Sequence, residues 1–221
     1  ENNSSIDILV RELEQQNDTK LLKWNADFKK TLTNHEILSQ SILFLLAGYE
    51  TTAHTLCFIS YCLAMNPKYQ DKLCNEIDTV LDCYDGKISY ESVSEMKYMD
   101  NVIDETLRLF PSVIRLDRVA SQDYEYNGTV VKKGVVWSLP IWALHHDPEI
   151  YPGPYEFRPE RFDEQEKRKR DNLAHIPFGT GPRNCVGMRF AILEIKLFLS
   201  LMLSKYKFSK CDKTPETIDI D

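Results

Sequence analysis

Basic residues are in the minority in this chain: 27 Lys and Arg stand against 34 Asp and Glu, a net charge of −7 over 221 residues. That balance carries no footprint for nucleic acid. Long apolar runs are missing as well. The most apolar stretch, Ile42 to Ala47, is short and bracketed by Glu36 and Glu50, so neither a transmembrane span nor a signal peptide is expected. Among the six cysteines no pair has C-x-x-C spacing, and reduced thiols are expected rather than a disulfide framework. Histidine is scarce and scattered: His145 and His146 are adjacent, so their side chains diverge, while His35, His54 and His175 fall in separate elements. A zinc site is not expected from them. Asn3, Asn17 and Asn127 fit the glycosylation acceptor pattern, which matters only in a secretory lumen.

What is present is enough apolar (43%) and aromatic (11%) residue to bury a core, over a length that suits one domain or a large part of one. The basic run Lys167 to Arg170 is flanked by Glu164, Glu166 and Asp171 and reads as a solvated face.

The most informative segment is "FGTGPRNCVG", Phe178 to Gly187. An isolated cysteine is usually a small buried hydrophobe. Cys185 instead sits in a loop punctuated by Gly179, Gly181 and Gly187 and stiffened by Pro182. After it, Phe190, Leu193, Leu197 and Leu201 make an apolar helical stripe. The thiol therefore lies near a helix N-terminus, where free N–H groups favour a thiolate.

Three other segments carry chemistry. Thr33 and Glu36 form a capping box, from which a helical pattern through Ile37, Leu38, Ser41, Ile42 and Leu45 runs to Met65, where Asn66-Pro67 stops it. At its centre lies "AGYETT", Ala47 to Thr52, whose glycine and β-branched residues are poor helix formers. A Gly48 beside Glu50 and Thr51 can open a groove for O₂ and water; alternatively Thr51 bonds back to the carbonyl four residues earlier and Glu50 is solvated. Glu105 and Arg108, in "ETLR", share a helix face and can pair. Between "SVIRLDRV" and Leu139 the pattern is extended, with Asn127-Gly128 marking a type I′ hairpin.

Five positions of the cysteine loop, Phe178, Gly181, Arg183, Cys185 and Gly187, match the haem-binding signature F-x-x-G-x-R-x-C-x-G, and the chain resembles the cytochrome P-450 superfamily. "LFLLAGYETT" and "PFGTGPRNCVGMRFA" look most like the animal microsomal, xenobiotic-metabolising 3A-type branch. The resemblance implies a mainly α fold with a small β-sheet region, the C-terminal part of the cytochrome P-450 fold. It is laid out over 1–221 as an oxygen-binding helix near 34–65, a Glu-x-x-Arg helix near 94–109 and a β region near 113–140. A meander and cysteine loop near 157–187 and a helix near 187–205 complete it.

It further implies a haem-thiolate monooxygenase that inserts one atom of O₂ into apolar xenobiotics, steroids or lipids. Cys185 is then the iron ligand of haem b, held also by Phe178, Gly181 and Gly187, with Arg183 and Arg118 at the propionates. Glu50 and Thr51, with Ala47 and Gly48, deliver protons, and Ser112, Val113 and Ile114 line the substrate pocket. Glu105, Arg108 and Arg161 (in "FRPERF") form a buried structural network. Electrons come from NADPH through a reductase, with cytochrome b5 as a further candidate donor and Lys167 to Arg170 as a candidate contact. The implied location is the cytosolic face of the endoplasmic reticulum membrane. A haem-thiolate isomerase or dehydratase is the alternative within the family. The chain opens abruptly with a short amphipathic piece at Ile6, Leu9 and Leu13 and ends in a polar tail, so it is expected to be the second half of a longer enzyme. An N-terminal half with its membrane anchor and a last hairpin would lie elsewhere. As an isolated polypeptide it is expected to bind haem weakly and to turn over nothing.

Overall fold

The computed structural model of the chain describes residues 31–218; Ile6, Leu9, Leu13, Asn3 and Asn17 lie outside them. One unit ends at Phe44 and another begins at Leu45, and the second carries every candidate site residue.

The capping box at the start of α1 (Asn34–Met65) is formed: Thr33 N donates to Glu36 Oε2 at 2.7 Å, and Glu36 N to Thr33 Oγ1 at 3.3 Å. Pro67 opens α2 (Pro67–Cys83) at a position where its missing N–H is harmless. Helix α3 (Tyr90–Glu95) starts on a Ser89–Ser92 box, and α4 (Lys97–Leu109) follows directly. Glu76 of α2 caps α4, accepting from Tyr98 N at 2.6 Å and Met99 N at 2.8 Å. The amphipathic faces of these helices meet in one core that includes Ile59, Leu63, Leu73, Ile77, Val102, Ile103 and Leu107.

The extended segment makes two small antiparallel ribbons. Strands β1 (Leu116–Val119) and β4 (Val136–Leu139) pair, as do β2 (Tyr124–Tyr126) and β3 (Thr129–Val131). Asn127 and Gly128, at φ 49° and 77°, close the second hairpin with the positive dihedrals a type I′ turn requires. Helix α5 (Ile141–His145), a 3₁₀ turn at Pro159–Phe162 and the short α6 (Glu164–Lys167) lead to the cysteine loop and α7 (Met188–Leu203). The fold is thus mainly α with a small β region.

Two expectations are corrected, and a choice between two readings is decided. The apolar stripe read along α7 is only partly buried: Leu193 and Leu197 pack against the core, Phe190 and Leu201 are exposed, and the fully buried face is Ile195, Leu199 and Leu203 with Lys196 and Ser200. The helix is apolar on several sides, so periodicity alone offered two stripes. Lys196 is satisfied by Asp100 of α4 at 2.8 Å. Second, α1 is long and apolar enough, by length and composition, to cross a membrane; its Ala, Thr and Cys positions extend the short Ile42–Ala47 run. Thr52, Thr55, Ile59, Cys62 and Leu63 are buried within the protein, so its C-terminal half is a core helix. Third, α1 runs unbroken through Gly48, with Thr51 bonded back to the Ala47 carbonyl and Glu50 exposed, the second of the two readings of that segment.

Candidate functional site

The firmest part of the site is a buried ionic clasp. Helical spacing puts Glu105 and Arg108 on one face of α4, and neither side chain has any exposed surface. Arg108 grips the carboxylate with two parallel bonds, Nε to Oε2 at 2.7 Å and Nη2 to Oε1 at 2.9 Å. Its remaining donors reach three carbonyls of the following segment: Nη1 to His145 at 2.9 Å and Pro154 at 2.7 Å, and Nη2 to Glu156 at 3.2 Å. Glu105 Oε1 also accepts from Arg158 N at 2.9 Å. Arg161 Nε stands 3.3 Å from that oxygen, an ion-pair distance without hydrogen-bond alignment, and its Nη2 donates to Gly153 O at 2.6 Å. The three residues are therefore together. Sequence reasoning missed the carbonyls they hold, because main-chain acceptors carry no side-chain signature.

A second clasp reinforces the first. Lys167 pairs with Asp104 of α4 at 2.9 Å, while Arg170 donates to the carbonyl of Arg161 and lies over the rings of Tyr151 and Phe162. Burial holds the Asp104 carboxyl above its usual range, and Lys167 opposes that shift. Lys169 is tied to Glu166. Three of the four basic residues thus have partners within the chain, and only Arg168 makes no side-chain hydrogen bond, ion pair or ring contact among the described residues. Two of the histidines, from separate elements, meet: the rings of His145 and His175 stack at 5.1 Å. Burial lowers both to a pKa of about 3. His145 Nε2 accepts from Ile176 N at 3.1 Å. No cluster suited to a metal ion occurs among the described residues.

The meander fastened by these clasps leads into the cysteine loop, which is closed by Cys185 N donating to Phe178 O at 2.8 Å. Gly179 and Gly181 have φ of 73° and 74°. A Cβ on Gly179 would stand 3.2 Å from Leu116 Cδ1, so the loop sits directly against strand β1. At Gly187 a Cβ would be 4.0 Å from Cys185 Sγ. Cys185 and Arg183 are exposed, and Phe178 is half-buried against the core. Between ribbon and loop lies a cavity of about 380 Å³ lined by Leu116, Arg118, Trp137, Ser138, Leu139 and Thr180. Arg118 Nη1 donates to Asp117 O at 2.9 Å. The larger cavity, about 880 Å³ near Tyr61, Phe110, Trp142 and Phe157, includes none of the candidate residues.

Along α1, Thr51 Oγ1 donates to Ala47 O at 2.7 Å and Glu50 is exposed. A side chain on Gly48 would meet nothing within 4 Å. Thr52 behaves differently from Thr51: it is buried and its hydroxyl has no partner among the described residues. Ser112 Oγ lies 3.3 Å from Thr55 Oγ1, tying the turn after α4 to α1, and Val113 and Ile114 beside it are exposed.

A mainly α domain whose buried glutamate–arginine clasp fixes the approach to a glycine-bracketed cysteine loop has a counterpart among known proteins. The chain matches the cytochrome P450 family over residues 2–221 and belongs to it. Cytochrome P450 3A30 of Fundulus heteroclitus is 44% identical over 218 residues, covering 99% of this chain and 43% of that protein. Cytochrome P450 6a8 of Drosophila melanogaster is 41% identical over 222 residues (99% and 43%). Cytochrome P450 3A2 of Rattus norvegicus is 47% identical over 185 residues (84% and 36%). The chain spans less than half the length of these relatives.

Proposed function

We propose that the whole protein is a haem-thiolate monooxygenase acting on apolar small molecules, and that this chain supplies the cysteine side of its site. The observation that carries this reading is the seating of the Cys185 loop against the Arg118 ribbon, with the Glu105 clasp holding the segment that precedes it. The residues fit a haem. A single thiol stands on an exposed loop, positive-φ glycines keep side chains off the loop, and Arg118 and Arg183 offer planar guanidinium groups for two carboxylates. When bound, the haem supplies the one-electron chemistry that activates O₂ and places one of its oxygen atoms in the substrate.

Each residue has a physical task. Cys185 lies two residues before Gly187, the N-cap of α7, and would bind the iron as thiolate. Glu50, exposed to water, and Thr51, whose hydroxyl donates to Ala47 O, are the proton-delivery pair of this reading. The bare surface at Ala47 and Gly48 leaves room for a small molecule beside that hydroxyl. Val113 and Ile114 offer apolar contact to substrate, and Ser112 is steadied by Thr55. Electrons arrive from NADPH through a reductase or cytochrome b5 at the cytosolic face of the endoplasmic reticulum membrane. Of the basic run, Arg168 is the residue free to meet such a partner.

Cys185→Ser tests the reading in the full-length protein. The red-shifted Soret band of the reduced carbon-monoxide complex should vanish, and its retention refutes the ligand assignment. Catalysis independent of NADPH would favour an isomerase or dehydratase instead. A second reading concerns the chain by itself: exposure of Cys185, Leu45, Leu46 and Tyr49, with coverage of 43% of a relative, favours weak haem binding and no turnover. Substrate hydroxylation by purified residues 1–221 would overturn it.

A further inference from the structure

The register of the β1–β4 ribbon sets Trp137 directly opposite Arg118. Directly paired side chains of an antiparallel ribbon leave the same face, with Cβ atoms about 4.5–5.5 Å apart. Both residues line the 380 Å³ cavity that Thr180 of the cysteine loop also lines, and the next pair on that face, Leu116 and Leu139, does so too. The cavity therefore has an apolar pair at one end of the ribbon face and a paired guanidinium and indole at the other.

Neither of those polar groups is used up. Trp137 is 52% exposed, and its Nε1–H reaches no acceptor among the described residues. The hydrogen bond that Arg118 makes goes to the carbonyl of its own neighbour, Asp117, through Nη1 alone. An arginine carries five N–H donors, so most of its capacity faces outward. Two donors on one wall, one charged and one neutral, suit a carboxylate, whose two oxygens accept from both at once. The indole face and the two leucines suit a flat hydrocarbon edge bearing that carboxylate.

We propose that Trp137 is a positioning residue: its Nε1–H and the Arg118 guanidinium together hold one carboxylate of the bound group, while its ring covers the adjoining edge. The proposal rests on the haem reading and deepens it, since it makes the site selective for a free propionate over an ester. Tryptophan has one donor and no acceptor, so it discriminates through the ligand's charge and lone pairs rather than through shape.

The test titrates the full-length protein with ferric haem and with its dimethyl ester, following the Soret band. The wild type should prefer the free acid. Trp137→Phe keeps an aromatic ring but loses the donor, and should cut the acid-to-ester preference about tenfold, the loss of one charge-assisted hydrogen bond, with ester affinity unchanged. Arg118→Ala should cut the same ratio. If Trp137→Phe weakens acid and ester equally, or leaves both unchanged, while the haem spectrum still depends on Cys185, the inference fails and the haem reading stands. If no spectrum dependent on Cys185 forms with the wild type, both fail.

Discussion

Replacing Glu105 by Gln would remove one negative charge from a place where water cannot substitute for it. The carboxylate accepts two bonds from Arg108, at 2.7 and 2.9 Å, and one from Arg158 N at 2.9 Å, and it faces Arg161 Nε at 3.3 Å. Arg108 has no exposed surface and Arg161 is 2% exposed, so the buried Arg108 guanidinium would lose its counter-ion and Arg161 would keep only the Glu156 carboxylate. Breaking a buried pair in this way costs about 3–5 kcal/mol. Against a total stability of about 5–15 kcal/mol for an ordinary domain, that is a large fraction. With a urea m-value of about 2 kcal/mol/M, the unfolding midpoint should fall by about 2 M at unchanged m. Arg108→Ala should be as severe, since it also orphans the carbonyls of His145, Pro154 and Glu156, and Glu105→Ala and Arg108→Ala should each abolish haem incorporation in the full-length protein. Arg161→Ala should cost less, because its contact with Glu105 lacks hydrogen-bond alignment. A midpoint shift worth less than about 1 kcal/mol for Glu105→Gln, or strict additivity of Glu105 and Arg108 variants in a double-mutant cycle, would refute the reasoning.

Acid should destabilise the protein through its buried histidines. Burial first, then His175 and Arg108, depress His145 to a pKa of about 3, whereas an unfolded histidine titrates near 6.5. The unfolded state therefore takes up protons first, and stability present above about pH 6.5 is lost as pH falls toward 3, by up to about 1.4 kcal/mol per pH unit for each such group. His145→Gln, which keeps an acceptor for Ile176 N, should flatten that slope in urea melts from pH 4 to 7; an unchanged slope would place the acid sensitivity elsewhere. Gly179→Ala meets both a φ of 73° and Leu116 Cδ1 at 3.2 Å, and should lower stability by about 1–3 kcal/mol while weakening haem uptake, read by thermal melting and Soret titration. Charge reversal at Lys167 or Arg170 should lower the melting temperature, whereas Arg168→Glu should leave it unchanged and act only on electron-transfer rate; a melting temperature indifferent to all three would show that the second clasp contributes nothing.

Local chemistry made much of this protein legible before any fold was considered. The capping box at Thr33, the stop at Asn66-Pro67 and the type I′ turn at Asn127-Gly128 are decided by neighbours within four residues, so they can be read along the chain. The spacing of Glu105 and Arg108 is likewise fixed by the helix itself. The cysteine loop is a set of residues close in sequence, and family membership follows from such sets. Where periodicity offered more than one answer, the choice belonged to packing: α7 is apolar on several sides, and contact with the rest of the core buried Ile195, Leu199 and Leu203 fully and Leu193 and Leu197 in part.

Tertiary structure alone decided which distant groups would share a low-dielectric interior. It brought Arg158 N and three carbonyls around Glu105 and Arg108, set His175 against His145, and spent Lys167 and Arg170 on internal contacts that a charge run does not foretell. It also set Trp137 across from Arg118, a pairing that depends on strand register and that lies nineteen residues apart in the chain. The sequence by itself determined the local conformations and the type of chemistry, because those depend on covalent neighbours. The partners of each buried charge and the walls of the cavity beside the cysteine loop were set only when segments far apart in the chain were excluded from water together.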